Sequence, residues 1–180
     1  MLQLSAMHIE PLEAPVPGPD LDALCGLLCA CVCGGASIGF VEPLGSAEAQ
    51  AYWKDVEAEA RKASRLVLVA REGPGLPIIG SAQLAFVSKP NGRHRAEVQK
   101  ILVLPSERRR GIASLLMRAV ESEASGRGVR LLHLDTSEGR SGAREFYEAL
   151  GYAYVGGIPG FALDPGGSPA KNAIYYKTLP

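Results

Sequence analysis

A surplus of charge of either sign is missing from this chain, in which 19 Lys and Arg cancel 19 Asp and Glu. That excludes a nucleic-acid binder working through bulk positive charge and leaves room only for a local basic cluster. Histidine is scarce and scattered (His8, His94, His133), so no metal centre is expected. Cysteines occur only as Cys25, Cys29, Cys31 and Cys33, inside nine residues. This spacing suits neither a long-loop disulfide framework nor a zinc module, and reads as small packing residues of a reduced protein. Basic residues are absent before Lys54. The uncharged stretch Leu24 to Val41 spans 18 positions but is interrupted by Gly26, Gly34, Gly35, Ser37 and Gly39 and preceded by Asp20 and Asp22. A signal peptide or anchor needs upstream basic residues, so the reading is a buried helix and a glycine loop in a cytoplasmic protein without a membrane partner.

What is present suits one globular domain over residues 1–180, with 47% hydrophobic and 21% charged residues. A first strand is expected over Leu2 to Ile9, stopped by the prolines from Pro11 onward, and Asp20 as N-cap of a helix that ends at Gly34-Gly35. Ser46 is the expected cap of a second helix with Ala49, Tyr52, Trp53, Val56 and Ala60 on one stripe. Apolar runs at Leu66–Ala70, Ile78–Phe86 and Ala96–Leu104, separated by turn residues, predict three antiparallel strands. Helical spacing from Gly111 to about Ser125 and a strand over Val129–Thr136 complete a right-handed crossover, which makes that strand parallel to its predecessor. A short helix (about Ser141 to Leu150) and strands near Ala153–Val155 and Ala173–Leu179 follow. The expected class is α/β (α+β), a mixed, mostly antiparallel central sheet with helices on both faces.

The segment VLPSERRRGIA (Val103 to Ala113) lies between a strand and a helix, where unpaired N–H groups and the helix dipole favour an anion. Glycine at 111 lets backbone approach a phosphate, and Arg108 to Arg110 add charge at the rim. The spacing fits neither a Walker lysine loop nor the Rossmann glycine pattern. An arginine run ahead of a helix is also common as plain solvated surface. An RNA-binding role for it is disfavoured because no aromatic platform accompanies it.

The spacing Arg108-x-x-Gly111-x-Ala113 resembles motif A of the GNAT superfamily of acetyl-CoA-dependent N-acetyltransferases, and AREFYEALGY (Ala143 to Tyr152) resembles the second signature of that superfamily. The likeness extends to the tabtoxin-resistance acetyltransferases, which acetylate an amino-acid toxin containing a β-lactam, through GGASIGF (Gly34 to Phe40), SAQL (Ser81 to Leu84), KPNG (Lys89 to Gly92), RAEVQK (Arg95 to Lys100), VLPS (Val103 to Ser106), LLHLDT (Leu131 to Thr136), PGF (Pro159 to Phe161) and AIYYKTL (Ala173 to Leu179). Three positions depart from those patterns: Arg109 replaces a glycine, Ala113 replaces the last motif glycine, and Arg140 stands where many GNAT proteins carry asparagine.

The resemblance implies a GNAT fold and acetyl-CoA as co-substrate. It places the cofactor along Ile101, Leu102 and Val103 and around Arg108, Arg109, Arg110, Gly111, Ile112, Ala113 and Ser114. It also implies that Glu97 and Asp135 are the catalytic carboxylates and that Tyr147 lies near the sulfur, where it can donate a proton to the departing thiolate. Chemistry gives the carboxylates a task, because an α-amino group near pKa 7.7–8.0 is only roughly one-tenth neutral at pH 7 and a base or an ammonium-holding group then helps. A carboxylate held by a strand-end amide or by Arg95, and a helix tyrosine packed on the sheet, are the structural alternatives. Backbone N–H groups near Leu102 and Val103 are candidates to stabilise the oxyanion. Gly34, Gly35 and Ser37 are candidates for the acceptor pocket, and His133 shares strand parity with Asp135 without a catalytic assignment. The expected partner is a small-molecule amine, with a homodimer left open. The competing readings are a protein lysine or N-terminal acetyltransferase and a non-catalytic coenzyme A binding module.

Overall fold

The computed structural model describes residues 7–138 and 142–180. In chain order its elements are β1 (His8–Pro11), α1 (Gly18–Cys33), α2 (Ser46–Arg61), β2 (Arg65–Arg71), β3 (Ile78–Phe86), β4 (Arg95–Val103), α3 (Ile112–Gly126), β5 (Leu131–Ser137), α4 (Ala143–Ala149), β6 (Ala153–Gly156), β7 (Ala162–Leu163), β8 (Pro169–Ala170) and β9 (Asn172–Thr178). Seven strands form one sheet in the order β1-β2-β3-β4-β5-β9-β6, and β7 pairs with β8 in a separate hairpin. Among the described residues only β4 and β5 run parallel, as the crossover through α3 requires, and the other pairs are antiparallel.

Both faces of the sheet centre are covered, which is why β2 reads as a continuous apolar run rather than an alternation. Val67 and Val69 pack with Leu24, Leu27, Leu28, Trp53 and Val56 of α1 and α2. Leu68 and Ala70 point the other way, into a core with Leu116, Met117 and Val120 of α3 and Leu132 and Leu134 of β5. Among the described residues no helix is long and apolar enough to cross a membrane, and the 24–41 stretch resolves into the end of α1 and the loop that follows.

Several element ends differ from the expectations. Residues 2–6 of the expected first strand lie outside the described residues, and β1 continues to Pro11. Asp20 is not the N-cap of α1: the helix begins at Gly18, behind Pro17. Pro19 is tolerated there because the N–H it lacks would have had no helical partner. Asp20 instead accepts a hydrogen bond from Arg71 Nη2 at 2.8 Å, and Arg71 also donates to Glu10 at 2.8 Å, so the buried guanidinium ties α1 to β1 and β2. Ser46 is the first helical residue of α2, whose N-cap is Gly45, with no side-chain capping bond. The β7–β8 hairpin was not anticipated. The expected start of α4 at Ser141 and the departure at Arg140 fall outside the described residues.

Two irregularities in β4 position the functional site. Ser81 pairs with Leu102 but Gln83 pairs with Gln99, so Lys100 and Ile101 together oppose Ala82 in a β-bulge. Lys100 there adopts φ +49°, and the extra residue reverses side-chain parity: Ala96 and Val98 face the α3 core, whereas Leu102 faces α1 and α2. The second irregularity is a split. β4 and β5 pair only over Arg95–Leu131, Ala96–Leu132 and Glu97–His133. Beyond Glu97 the strands carry no common ladder, and β4 has backbone groups on that side available to a ligand.

Candidate active site

The split between β4 and β5 opens into two adjoining cavities. One, about 500 Å³, is lined by Ile101, Leu102 and Val103 of β4, by Arg108, Arg109, Gly111, Ile112, Ala113 and Ser114, and by Phe146 and Tyr147 of α4. The other, about 320 Å³, is lined by Glu97 and Gln99 to Ile101 of β4, by Asp135 to Ser137 of β5, by Ser37 to Gly39, and by Phe161, Ala162 and Ala170 to Asn172 from the hairpin region. Ile101 and Tyr147 belong to both walls.

The larger cavity has the features an anionic carrier needs. No side chain caps the start of α3, and the first backward hydrogen bond runs from Leu115 N–H to Gly111 C=O at 3.1 Å. The preceding N–H groups therefore have no helical partner, and the dipole adds partial positive charge. Gly111 has φ +78°, and a Cβ there would meet nothing within 4 Å; the space beside it is open to a phosphate. Arg109, two residues earlier, also adopts a left-handed conformation at φ +63°, which explains why a glycine suits that position. The residues present thus fit a pyrophosphate-bearing cofactor.

The three arginines have different surroundings. Arg108 reaches across the larger cavity, with Nη2 3.6 Å from where a Cβ on Gly34 would stand. Arg110 is held by Glu107 and, at 2.7 Å, by Glu72, and it lies outside the cavity wall. Of the acceptor candidates, Ser37 lines the smaller cavity, while Gly34 and Gly35 do not. Cys31 is buried in the wall of the larger cavity and donates to Val103 C=O at 3.5 Å; burial pushes its thiol pKa up although Arg108 pulls it down. Cys31 and Cys25 are buried as packing cysteines, whereas Cys29 is half-buried and Cys33 is exposed, so the packing reading does not hold for Cys33; all four thiols are free. Among the described residues no group of three side chains could hold a metal ion.

Glu97 and Asp135 meet at the smaller cavity because the last paired residues of β4 and β5 bring them to the mouth of the split. His133, the cross-strand neighbour of Glu97, lies within 3.3 Å of Arg95 Nη1 through Nε2. Tyr147 is 9% exposed within a cluster of Phe146, Tyr152 and Tyr175, with ring centroids 5.1–5.9 Å away. Burial, with Tyr175 and Asp135 adding to it, pushes its phenol up to about 12.

Residues that motif reasoning did not single out complete the smaller cavity. Lys100 projects from the bulge with Nζ 5.8 Å from the Phe40 ring centroid and 5.7 Å from that of Tyr52. Behind it lies a buried network in which Arg65 Nη1 donates to Gln83 at 2.7 Å and to Gln99, and Tyr52 donates to Gln83 at 3.1 Å. In the sequence Lys100 is a lone lysine in the even-numbered series Ala96, Val98, Leu102; the bulge that turns it into the cavity is defined by the pairing with β3.

Comparisons with known proteins identify the family. Residues 37–152 match the model of the acetyltransferase (GNAT) family. A curated relative from Azospirillum brasilense, an uncharacterized N-acetyltransferase from the hisH-hisA intergenic region, is 35% identical over 122 residues, covering 66% of this chain and 69% of that protein. An N-acetyltransferase structure from Staphylococcus aureus Mu50 superposes with a TM-score of 0.79 at 19% identity, over 98% of this chain and 100% of the other. The Sinorhizobium meliloti phosphinothricin acetyltransferase, solved with acetyl-CoA, gives 0.76 at 18% identity over 96% and 88%. At such identities the structural likenesses speak to fold alone. With the split sheet, the glycine turn ahead of α3 and the family match over both, the chain belongs to the GNAT family and is an acetyl-CoA-dependent N-acetyltransferase.

Proposed function

We propose that the protein acetylates the primary amine of a small molecule by direct attack of the amine, without an acyl-enzyme. A tabtoxinine-like β-lactam amino acid is one acceptor that the sequence resemblance suggests. The observation that carries this reading is the size and charged lining of the smaller cavity. Glu42 N–H donates to Pro165 C=O at 2.9 Å, joining the loop after α1 to the tip of the β7–β8 hairpin, the two segments that wall the cavity opposite the split. A cavity of about 320 Å³ lined by Glu97, Asp135, Lys100 and Lys171 is of a size to take a compact, charged ligand; a peptide substrate needs a longer groove.

Acetyl-CoA supplies a thioester-activated acetyl group. In this reading the α3 N-terminus and Gly111 receive the pyrophosphate, with Arg108 and Arg109 beside it, and Ile101 to Val103 guide the arm toward Tyr147. Glu97 and Asp135 hold the incoming ammonium and take up its proton, directly or through water. Backbone N–H groups of the unpaired side of β4 face the carbonyl oxygen.

The test is thiol release from acetyl-CoA against amino acids, amino-acid toxins, polyamines and peptides. Single amino compounds are expected to give release and peptides none. Faster turnover with lysine-containing or N-terminal peptides overturns the small-molecule reading in favour of a protein acceptor.

A further inference from the structure

The smaller cavity contains two carboxylates, Glu97 and Asp135, and two ammonium groups, Lys100 and Lys171. Lys171 is committed to Glu138 at 2.8 Å. Lys100 is different. Among the described residues its Nζ has no ion pair and no hydrogen bond, only the faces of Phe40 and Tyr52 and the bare backbone of Gly39, where an added Cβ would stand 3.4 Å from Nζ.

A half-buried ammonium without an ion-pair partner is unfavourable, and the faces of Phe40 and Tyr52 relieve this one only in part. The nearby cation Arg65 is bound to Glu59 and adds repulsion, while Asp135 and Glu97 attract Lys100 from beyond ion-pair distance. The left-handed backbone at φ +49° is a further local strain, of a kind that tends to collect at ligand sites. A second donor lines the same cavity: Asn172 is 3% exposed, its Oδ1 is taken by Ile158 N–H at 2.8 Å, and its Nδ2 has no partner among the described residues.

We infer that Lys100 is an anion subsite of the acceptor pocket, which binds the carboxylate of a zwitterionic amino compound while Glu97 and Asp135 receive its ammonium end. The inference rests on the small-molecule reading above and narrows it to acceptors carrying a carboxylate. Charge complementarity runs along the cavity: the ligand's negative end meets an ammonium that has no ion pair among the described residues, and its amine end meets Glu97 and Asp135 in the same cavity. Lys100 selects the acceptor and has no part in moving the amine proton.

The experiment compares L-leucine, L-glutamine and L-lysine with their carboxamides, each with acetyl-CoA, in the wild type, Lys100→Met and Lys100→Arg. In the wild type kcat/KM is expected to favour the acids by about 10- to 100-fold, the range for a hydrogen bond to a charged group. In Lys100→Met the preference collapses toward unity through a rise in KM for the acids, with the carboxamides unchanged, and Lys100→Arg retains most of it. A wild-type enzyme that turns over acids and carboxamides alike overturns the subsite, as does an equal fall for both in Lys100→Met, which makes Lys100 a counter-charge for Glu97 and Asp135 instead. If none of the panel releases thiol, the small-molecule reading fails for amino acids. Calorimetry of the coenzyme A-loaded protein with the same panel then decides the subsite separately: acids that bind no tighter than carboxamides overturn it.

Discussion

Tyr147 and Ile101 stand at the junction of the two cavities, the two residues that line both walls among the described residues. A group at that junction is well placed to touch the reacting sulfur, and the resemblance assigns Tyr147 the role of acid. Its environment limits that role. With the phenol pushed up to about 12 and an ordinary thiol near 8.5, full proton transfer from Tyr147 to the thiolate is uphill by about 5 kcal/mol, at 1.36 kcal/mol per unit. We therefore propose for Tyr147 the role of a hydrogen-bond donor that positions and shields the sulfur. Tyr147→Phe is expected to lower kcat by about tenfold, below the 10²–10⁴ typical of a lost general acid, with coenzyme A affinity unchanged by calorimetry. A loss above 10³ restores the full-acid assignment.

Glu97 and Asp135 predict a different pattern, since both line the smaller cavity, the proposed acceptor pocket, and neither lines the larger one. Glu97→Gln and Asp135→Asn should each leave coenzyme A binding intact, and at least one should reduce kcat/KM by about 10²–10⁴. Thiol-release kinetics beside calorimetry make the comparison. Full activity in both variants removes the carboxylates from the mechanism.

The turn ahead of α3 carries two left-handed residues, only one of them glycine. Arg109 at φ +63° bears a strain of about 1–2 kcal/mol relative to glycine, partly offset because glycine makes the unfolded chain more flexible. Arg109→Gly is expected to be neutral or stabilising by about 1 kcal/mol in urea unfolding, and Gly111→Ala to destabilise by a similar amount. A Cβ at 111 meets no protein atom, so the cost of Gly111→Ala is conformational in the free protein. In calorimetry it adds a loss of coenzyme A affinity from crowding at the phosphate position. Equal affinity in Gly111→Ala and wild type shows that the phosphate does not approach that backbone.

Much of this architecture was legible in the sequence because its signals are local. The 3.6-residue period of α2 and α3, the apolar runs of β2 and β3 and the glycine turn ahead of α3 each act within a few residues. What escaped depends on distant pairing. The bulge at Lys100 is defined by its register against Ala82, and a two-residue strand such as β7 or β8 has too little pattern to detect. The cap assigned to Asp20 failed because a carboxylate near a helix start was more strongly claimed by Arg71, 51 residues away in sequence. The acceptor pocket was accordingly the least readable part, since its walls come from the bulge, the hairpin and a loop between helices.

The unpaired charge of Lys100 leaves a signature in stability that needs no substrate. Burial holds its folded-state pKa below the ordinary lysine value, with Arg65 adding to the shift and Asp135 and Glu97 opposing it. Below the lowered folded value the group is charged in both folded and unfolded chains, and the folded protein bears the whole penalty. As pH rises, the folded protein releases the proton first while the unfolded chain still binds it. Stability then increases with pH between the lowered folded value and the unfolded value near 10.4. Lys100→Met removes the group. Its melting temperature should lie above wild type at pH 7 by about 2–4 °C, the shift that 1 kcal/mol makes in a domain of this size, and the difference should shrink as pH approaches 10.4. Methionine packing against Phe40 and Tyr52 contributes equally at every pH, so the slope of the difference carries the test. A difference that stays constant between pH 7 and about 10.4 shows that the ammonium is not held at a cost, and removes the electrostatic basis of the anion subsite.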